Sequence, residues 1–228
     1  MASTDEELFA SARRELFSAV IGDVMDKLGL QHQFLPPAIV PLDRSMIVCG
    51  RALTVLEADF FDEVVEGSHN PVSARPFGLM LDALDDLKAN EVYLCTGSSP
   101  LYALWGELMS IRAMKCGAAG AVVDGYSRDT RGVLKLGFPT FSHGSYAQDQ
   151  GPRGKVIDFR IPIQIGQVRV SPGDVVFGDV DGVCVVPRAA ERETLTCAFE
   201  KARKEKVVRR DLEEGVSARD AFEKHGLL

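Results

Sequence analysis

An arginine and an aspartate stand side by side at positions 128 and 129, in the stretch VVDGYSRDTRG of residues 122–132. Arg128 offers a planar guanidinium that suits a carboxylate, and Asp129 offers hard oxygen donors that suit Mg²⁺ or Mn²⁺. Adjacent in the chain, the two side chains could hold an anionic substrate and its metal together. The alternative is a pair of surface turn residues, or a local ion pair that contributes little to stability.

A third candidate, Glu107, precedes this pair and lies near the start of a predicted helix. The first turn of a helix has free backbone N–H groups, which bind anions. If the preceding loop brings such amides towards Arg128, a small carboxylate gains two sets of donors. Ser99 and Pro100 are typical of a helix start, but Gly106 is an equally good candidate for that boundary.

Four further residues are weaker candidates for the same pocket. Asp124, at the end of a predicted strand, could orient the nearby arginine or a water on the metal, or serve only an Asp-Gly turn. His69 and Asn70 lie in a long loop and could contact a substrate or simply be exposed. Trp105 could wall the pocket, although core packing is the favoured interpretation.

Several common catalytic patterns are absent from the sequence. There is no GxSxG, no P-loop and no GxGxxG between a strand and a helix, which disfavours hydrolase, kinase and dinucleotide-dependent functions. The four histidines lack the HExxH spacing of a zinc site, and His143 is interpreted as a structural residue at a strand end. Asp179 and Asp181, in GDVDG, lack the other ligands of an EF-hand and predict a hairpin turn.

The elements that must position these residues follow from hydrophobic periodicity. Apolar residues recur at four-residue steps from Leu16 to Leu28, and Gly29 is a typical stop signal, so an amphipathic helix is predicted there. The stretches EVYLCTG and AGAVVDG predict two strands that each run into a glycine-containing turn, and ligands gather at such carboxyl ends. Further predictions are strands at 46–58 and within 138–187, helices at 79–88 and up to 117, a helical tail from 189, and a last helix capped at 217.

Composition places the chain among ordinary globular proteins. Its 228 residues are 46% hydrophobic and 26% charged, which predicts one domain over 1–228. No stretch approaches the roughly 18 apolar residues that a membrane span needs, and the N-terminus lacks a signal-peptide pattern, which favours the cytoplasm. A net charge of −7 disfavours nucleic acid as the main partner, and five dispersed cysteines suggest neither disulfides nor a thiolate zinc site.

The segment LWGELMSIRAMKCGAAGAVVDGYSRD, residues 104–129, closely resembles the 4-hydroxy-4-methyl-2-oxoglutarate aldolase family, whose relatives include the regulator of ribonuclease activity A. The family pattern is an acid, twenty residues and then Arg-Asp, and Glu107, Arg128 and Asp129 match it. Residues 17–29 and 161–187 are also similar, so the resemblance covers most of the chain.

The resemblance implies a role for each matching residue. Asp129 would be the ligand of a divalent metal, Mg²⁺ or Mn²⁺; Glu107 would hold water on that metal; and Arg128 would bind the carboxylate of the pyruvyl group. Backbone donors to that carboxylate would come from the stretch Leu104, Trp105, Gly106 and Glu107.

The family also implies an assembly and a fold. A further acid would arrive from the C-terminal region of a neighbouring subunit, for which Glu205 is the first candidate and Glu200 the second. The implied fold is α/β, a three-layer swivelling β/β/α domain of the phosphohistidine type with helical N- and C-terminal segments, assembled as homotrimers or homohexamers. The chain departs from the family at Gly132, where members with aldolase activity often carry an acid.

Two functions of different classes follow. The first is a metal-dependent class II pyruvate aldolase, a carbon–carbon lyase that cleaves 4-hydroxy-2-oxo acids such as 4-hydroxy-4-methyl-2-oxoglutarate to pyruvate and also decarboxylates oxaloacetate. The second is a non-catalytic regulatory protein that binds a partner enzyme such as a ribonuclease. Retention of the acid and the Arg-Asp pair favours the enzyme.

Overall fold

The protein is built on a mixed β-sheet that runs through its centre. A computed structural model describes the chain over residues 4–60 and 69–227. The described strands are β1 (Val40–Pro41), β2 (Val48–Asp59), β3 (Glu91–Thr96), β4 (Ala103–Trp105), β5 (Gly120–Val123), β6 (Tyr126–Ser127), β7 (Thr140–Ser142), β8 (Gly154–Phe159), β9 (Ile163–Ile165), β10 (Val168–Val170), β11 (Val175–Asp179) and β12 (Gly182–Val186). Eight of them form the central sheet, in the order β1-β7-β5-β3-β2-β11-β12, with β8 also paired to β2.

Helices pack against one face of this sheet and form both ends of the described chain. They are α1 (Asp5–Glu15), α2 (Ser18–Lys27), α3 (Met80–Asp85), α4 (Glu107–Lys115), α5 (Thr130–Leu136), α6 (Glu191–Glu213) and α7 (Ala218–His225). A 3-10 turn at Arg188–Ala190 precedes α6.

Successive side chains of β2 pack on opposite faces of the sheet, and this alternation shows the three layers of the molecule. Val48 and Ala52 belong to one buried cluster, which the β9–β10 hairpin covers with apolar side chains such as Ile165. Cys49 packs among α1, α2 and α6, and Leu53 packs in the cluster that contains α3 and α4. Because successive side chains of a strand point to opposite faces, the hairpin and the helices lie on opposite sides of the sheet. The predicted β/β/α fold with helical terminal segments is confirmed.

The parallel part of the sheet brings the predicted loops together. β2 pairs in parallel with β3, β3 with β5, and β5 with β7, so their carboxyl ends lie along one edge. The backbone N–H of Asp124, just after β5, donates to the carbonyl of Cys95 in β3 at 2.8 Å. The strands predicted at 91–97 and 119–125 are therefore neighbours, as the proposed pocket requires.

The first predicted helix is correct in place but wrong at its start. Leu16 and Phe17 are extended, and they separate α1 from α2, which begins at Ser18. The backbone N–H and the hydroxyl of Ser18 both donate to the carboxylate of Asp179, at 2.8 and 2.7 Å. A tertiary contact, invisible to periodicity, thus fixes the beginning of α2. Asp179 and Asp181 lie at the β11–β12 hairpin, as predicted.

The helical tail is also as predicted. Ser217 caps α7 by accepting a hydrogen bond from the backbone N–H of Asp220 at 3.1 Å. α7 is tied to α6 because Lys224 Nζ and His225 Nε2 both lie 2.7 Å from Asp211 Oδ2. These partners lower the pKa of Asp211 to about 2, the hydrogen bond from Lys224 being the larger cause.

The cysteines and the described helices bear on two expectations from composition. The five cysteines are all free. In the two described ranges, no helix has both the length and the apolar composition needed to cross a bilayer.

Candidate active site

Two very short strands carry the candidate residues to one another. β4 pairs in parallel with β6, with Ala103 opposite Tyr126 and Trp105 opposite Ser127. The backbone N–H of Arg128 then donates to the carbonyl of Trp105 at 2.8 Å. This pairing places the Arg-Asp turn directly beside the residues that precede α4, although twenty-odd residues separate the two segments in sequence.

The start of α4 decides between the two predicted boundaries. Gly106 is the N-cap residue and Glu107 is the first residue of the helix, so Gly106 is correct and Ser99–Pro100 is wrong. Ser99–Pro100 does not begin the helix because β4, and not a first helical turn, lies between this pair and Gly106. The N–H groups at the start of α4 lack partners within the helix and are available beside Arg128.

Asp129 has an unusual backbone. Its φ of 55° lies in the left-handed region, where a non-glycine residue costs of the order of 1 kcal/mol, and it directly precedes α5. The carboxylate lies close to Gly106, where an added Cβ would come within 2.9 Å of Oδ2. The nearest described cation is Arg128, whose Nε is 3.8 Å from the same oxygen.

Glu107 reaches the same turn from α4. A Cβ added at Gly132 would collide with the Glu107 carboxyl group and would lie 2.7 Å from its Oε1. The carboxylate of Glu107 therefore lies over the first turn of α5, in the space that a side chain at position 132 would fill. Gly132, which departs from the family pattern, is the residue that leaves room for Glu107.

Asp129 separates two cavities. The first, of about 430 Å³, is lined by Arg128, Asp129 and Gly106 together with residues 103–105 and residues of α3 and α4. The second, of about 540 Å³, is lined by Asp129, Glu107 and the first residues of α5. The three predicted residues thus converge on one place, with Arg128 on one side of Asp129 and Glu107 on the other.

Leu104 and Trp105 line the first cavity, and their main role is packing in the core. Both side chains are buried. The Trp105 indole N–H donates to Ser110 Oγ at 2.8 Å, and its ring packs against Tyr93 and Phe138. Trp105 therefore fills the core and also forms part of the cavity wall, so both sequence interpretations describe it.

Asp149 was missed by sequence reasoning. Its Oδ1 lies 2.7 Å from Arg128 Nη1, and it lines the first cavity with Gln150. Asp149 holds one end of the guanidinium and leaves the Nη2 group of Arg128 available to a ligand. It lies in a segment without periodicity or motif, so no sequence signal could have identified it.

Asp124 has other partners than the predicted arginine. Its Oδ2 accepts a hydrogen bond from Thr96 Oγ1 at 2.8 Å, and its Oδ1 lies 3.2 Å from His143 Nε2. Orientation of Arg128 comes from Asp149 instead. His143 directly follows β7, as its interpretation as a strand-end residue requires.

His69 and Asn70 line neither of these two cavities. Both are exposed, and Asn70 Oδ1 accepts a hydrogen bond from the backbone of Val72 at 3.0 Å, a local turn contact. Residues 61–68, which directly precede His69, lie outside the described residues.

Glu205 lies on α6, in a different part of the helical layer. Its carboxylate is 2.5 Å from Lys201 Nζ, one helical turn earlier. Within one chain, neither Glu205 nor Glu200 lines the two cavities beside Asp129. A role for either residue in the site of a neighbouring copy stays a prediction.

A buried acid lies behind the first cavity. Glu57, in β2, is 2% exposed, and its Oε1 accepts a hydrogen bond from Gln150 Nε2 at 2.8 Å. Burial, with a smaller contribution from the charge of Asp59, raises its pKa to about 8. Glu57 therefore fixes the residue next to Asp149, the partner of Arg128.

The donor set suits a small hard cation. Asp129 and Glu107 supply carboxylate oxygens, and Mg²⁺ in proteins is commonly bound by one or two carboxylates with water and substrate completing its shell. Across residues 4–60 and 69–227, no group of three or more potential ligands is assembled for a metal ion. One chain thus offers an incomplete oxygen set, which excludes a closed structural site among the described residues but fits an open one.

Comparison with known proteins identifies the family. The RraA-like model, described as Aldolase/RraA, matches residues 18–185, and the chain belongs to this family. It is 30% identical over 214 residues to a Halalkalibacterium halodurans protein named "Putative 4-hydroxy-4-methyl-2-oxoglutarate aldolase", covering 94% of this chain and 93% of that protein.

Solved structures share the fold. The Streptomyces coelicolor protein RraAS2, described as an unusual member of the RNase ES inhibitor RraA protein family, is 25% identical with a TM-score of 0.75, over 92% of this chain and 98% of that one. An uncharacterized Pseudomonas syringae protein is similar in fold, with 23% identity and a TM-score of 0.83 over 98% and 96% of the two chains.

Proposed function

We propose that this protein is a divalent-metal-dependent lyase that cleaves 4-hydroxy-2-oxo acids to pyruvate and an aldehyde or ketone. The observation that carries the proposal is the position of Asp129 between two cavities, with Arg128 in the wall of one and Glu107 in the wall of the other. A cation-binding carboxylate, a carboxylate-binding guanidinium and a second acid are the groups that this reaction needs.

Asp129 and Glu107 would hold the metal, Mg²⁺ or Mn²⁺. When bound, it would supply a Lewis acid that withdraws electrons from the 2-oxo group of the substrate. Support comes from the chemistry of the two carboxylates and from the close approach of Gly106 and Gly132, which leaves both acids room at the turn before α5.

The side chains of this protein would bind the substrate and move its proton. Arg128, restrained by Asp149, would bind the 1-carboxylate through its remaining N–H groups, assisted by the free amides at the start of α4. Glu107, directly or through a water that it holds, would accept the proton of the 4-hydroxyl group. The C3–C4 electron pair then becomes the pyruvate enolate as the 4-carbonyl forms, and the charge of Arg128 stabilises the enolate.

The same arrangement would decarboxylate oxaloacetate. Loss of its 4-carboxylate as CO₂ leaves the C3–C4 electron pair on the same enolate, which takes up a proton at C3 to give pyruvate. No proton has to be removed to start this reaction, so Glu107 is less important in it than in aldol cleavage.

The test is pyruvate release from oxaloacetate and from 4-hydroxy-4-methyl-2-oxoglutarate, with and without Mg²⁺ or Mn²⁺. We expect metal-dependent turnover that chelation abolishes. Asp129→Asn should reduce it by at least about 10²-fold, and Arg128→Lys should lower kcat/KM by a similar factor because a point charge cannot reproduce the guanidinium geometry. Chelator-insensitive turnover, absent turnover across these two and a panel of other 4-hydroxy-2-oxo acids, or a fully active Asp129→Asn protein would contradict the proposal.

A second function, regulation of a partner enzyme such as a ribonuclease, is favoured by one observation. α4 carries three exposed apolar side chains, Leu108, Ile111 and Met114, which could contact another protein. A protein that inhibits a purified ribonuclease and shows no metal-dependent turnover would support this alternative.

A further inference from the structure

The first cavity differs from a site built for a second carboxylate. Side chains of α3 and α4 that line it are largely apolar, among them Met80, Leu84, Leu108 and Met109. With a volume of about 430 Å³ it falls within the range of roughly 300–1,000 Å³ that is typical of small-molecule sites. It begins at Arg128 and Asp129, so a substrate held there has this cavity directly beside it.

The charges in its wall are already paired. Arg128 is bound by Asp149 and Arg112 by Asp85, each at 2.7 Å. With Asp129 added, the charged residues lining the cavity are two arginines and three aspartates, a formal sum of −1. Beyond the position of the 1-carboxylate, the only other cation in the lining is Arg112, which Asp85 already binds through its Nε, and the negative sum makes a second anionic group less favourable there than an uncharged one.

The backbone of Phe77 is a second, independent indication that the wall of the first cavity contacts a ligand. Its φ of 58° is left-handed, which a residue with a large side chain rarely adopts. Backbone hydrogen bonds from Val156 and Met80 to its carbonyl, at 3.2 and 3.3 Å, hold this conformation. Phe77 lines the cavity, and strained residues of this kind tend to cluster at functional sites.

The second cavity offers no comparable surface. It is lined by Glu107, Thr130, Arg131, Gly132 and Lys135 in addition to Asp129, so most of its lining residues carry a charged side chain. An apolar group there would lie against charged side chains, whereas the first cavity offers it apolar side chains of α3 and α4.

We infer that the first cavity binds an uncharged, apolar substituent at C4 of the substrate, so that the preferred 4-hydroxy-2-oxo acids release an aliphatic or aromatic aldehyde or ketone. This inference rests on the proposed lyase function. The pyruvyl half lies against Arg128 and Asp129, and the half that is released lies against α3 and α4.

Binding of straight-chain 2-oxo acids tests the inference without turnover. We would titrate the Mg²⁺-loaded protein by calorimetry with pyruvate, 2-oxopentanoate, 2-oxooctanoate and 2-oxoglutarate. Affinity should rise by roughly fourfold for each methylene that becomes buried. 2-Oxoglutarate, with the chain length of 2-oxopentanoate and a second carboxylate, should bind at least tenfold more weakly than it. Equal affinities, or a preference for the diacid, would overturn the inference.

Variants at the rim of the cavity locate the effect. Leu81 and Leu108 are 55% and 79% exposed, so lysine at either position is compatible with folding. Leu81→Lys and Leu108→Lys should each lower the ratio of 2-oxooctanoate to pyruvate affinity by about tenfold. Val207→Lys, at an exposed position of α6 outside this cavity, should leave the ratio unchanged. An unaffected ratio in both rim variants would also overturn the inference, as expected if a neighbouring copy fills the cavity.

A separate measurement distinguishes failure of the inference from failure of the proposed function. Exchange of the pyruvate methyl protons with D₂O, followed by NMR with Mg²⁺ present, reports enolate formation and requires no C4 substituent. Exchange without a chain-length trend would refute the apolar substituent alone. No exchange would refute the lyase on which the inference rests.

Discussion

At the scale of one residue, Gly132 determines where the carboxylate of Glu107, the second acid of the proposed site, can lie. An alanine there would force the Glu107 carboxylate away, since the added Cβ would overlap it. Alanine is otherwise up to about 1 kcal/mol better than glycine inside a helix. We therefore predict that Gly132→Ala keeps or raises the melting temperature while Mn²⁺ affinity and pyruvate release both fall by about tenfold or more.

Calorimetry with Mn²⁺ and thermal unfolding measure these two effects. Leu134→Ala, at an exposed position of the same helix, is the matched control and should bind Mn²⁺ like the parent. Unchanged Mn²⁺ affinity in Gly132→Ala would show that Glu107 does not need its present position.

Glu57 should make stability depend on pH. Its pKa is raised from 4.5 to about 8 by burial, so the folded protein holds the proton more tightly than the unfolded chain. Stability should fall as the pH rises from about 4.5 to about 8 and stay low above that. Glu57→Gln, which keeps an oxygen for Gln150, should remove this loss, worth on the order of 3–5 kcal/mol.

Urea unfolding at several pH values measures the effect. The variant should exceed the parent in free energy of unfolding at pH 8 and above, and the two should converge near pH 4.5. Parallel profiles across this range would mean that Glu57 is ionised in the folded protein without penalty.

Three candidate residues could be selected from sequence because their spacing matches the pattern of the family that the chain resembles. Glu107, Arg128 and Asp129 belong to segments whose residue types already suggest metal and carboxylate binding. Asp149 could not be predicted, because its role depends on where an irregular segment passes the guanidinium of Arg128. Contacts of this kind arise from tertiary structure and produce no periodic pattern in the sequence.

At the scale of the elements, the docking of α7 on α6 can be tested. Its anchor is Asp211, whose pKa is lowered to about 2 by Lys224 and then His225. A carboxylate with a lowered pKa stabilises the fold above its ordinary pKa and loses this effect as the pH falls through the lowered value. Docking of α7 should thus persist at pH 4 and weaken towards pH 2.

Hydrogen exchange of the amides in residues 218–226 reports this docking. Asp211→Asn should accelerate their exchange at neutral pH, whereas Glu214→Gln, an exposed acid at the end of α6, should not. Equal protection in both variants would mean that the capping by Ser217 alone holds α7.

Elements with strong periodicity were predictable, and short ones were not. α2, α6 and the core strands carry regular apolar patterns, and the structure confirms them. β4 and β6 have three and two residues, and α5 has seven, too few for a period to be read. These short elements nevertheless place the candidate site, because they join Arg128 to the start of α4.

At the scale of the whole molecule, we predict that the chain unfolds as one domain. Trp105, the only tryptophan, is buried in the cluster around α3 and α4, while the longest described helix, α6, packs in the cluster with α1 and α2. Both clusters rest on β2, so they should unfold together. Trp105 fluorescence and far-ultraviolet circular dichroism should give coincident urea transitions. Separate midpoints would divide the chain into two cooperative units.

The predicted trimer or hexamer can be tested through Glu205. If this acid serves a neighbouring copy, mixing inactive Asp129→Asn and Glu205→Gln proteins under conditions that allow subunit exchange should restore activity. Random assortment in a symmetric ring would leave about one site in four with both native residues. Glu200→Gln in place of Glu205→Gln tests the second candidate, and failure of both mixtures would exclude shared sites of this type.

The position of Asp129 as a partition has an evolutionary consequence. The candidate residues stand on the boundary between the two cavities, whereas the far wall of the first cavity belongs to α3 and α4. Under the proposed function, substitutions in that wall would alter which substrate is accepted while leaving Arg128, Glu107 and Asp129 in place. Relatives would thereby differ in substrate range and keep the same reaction.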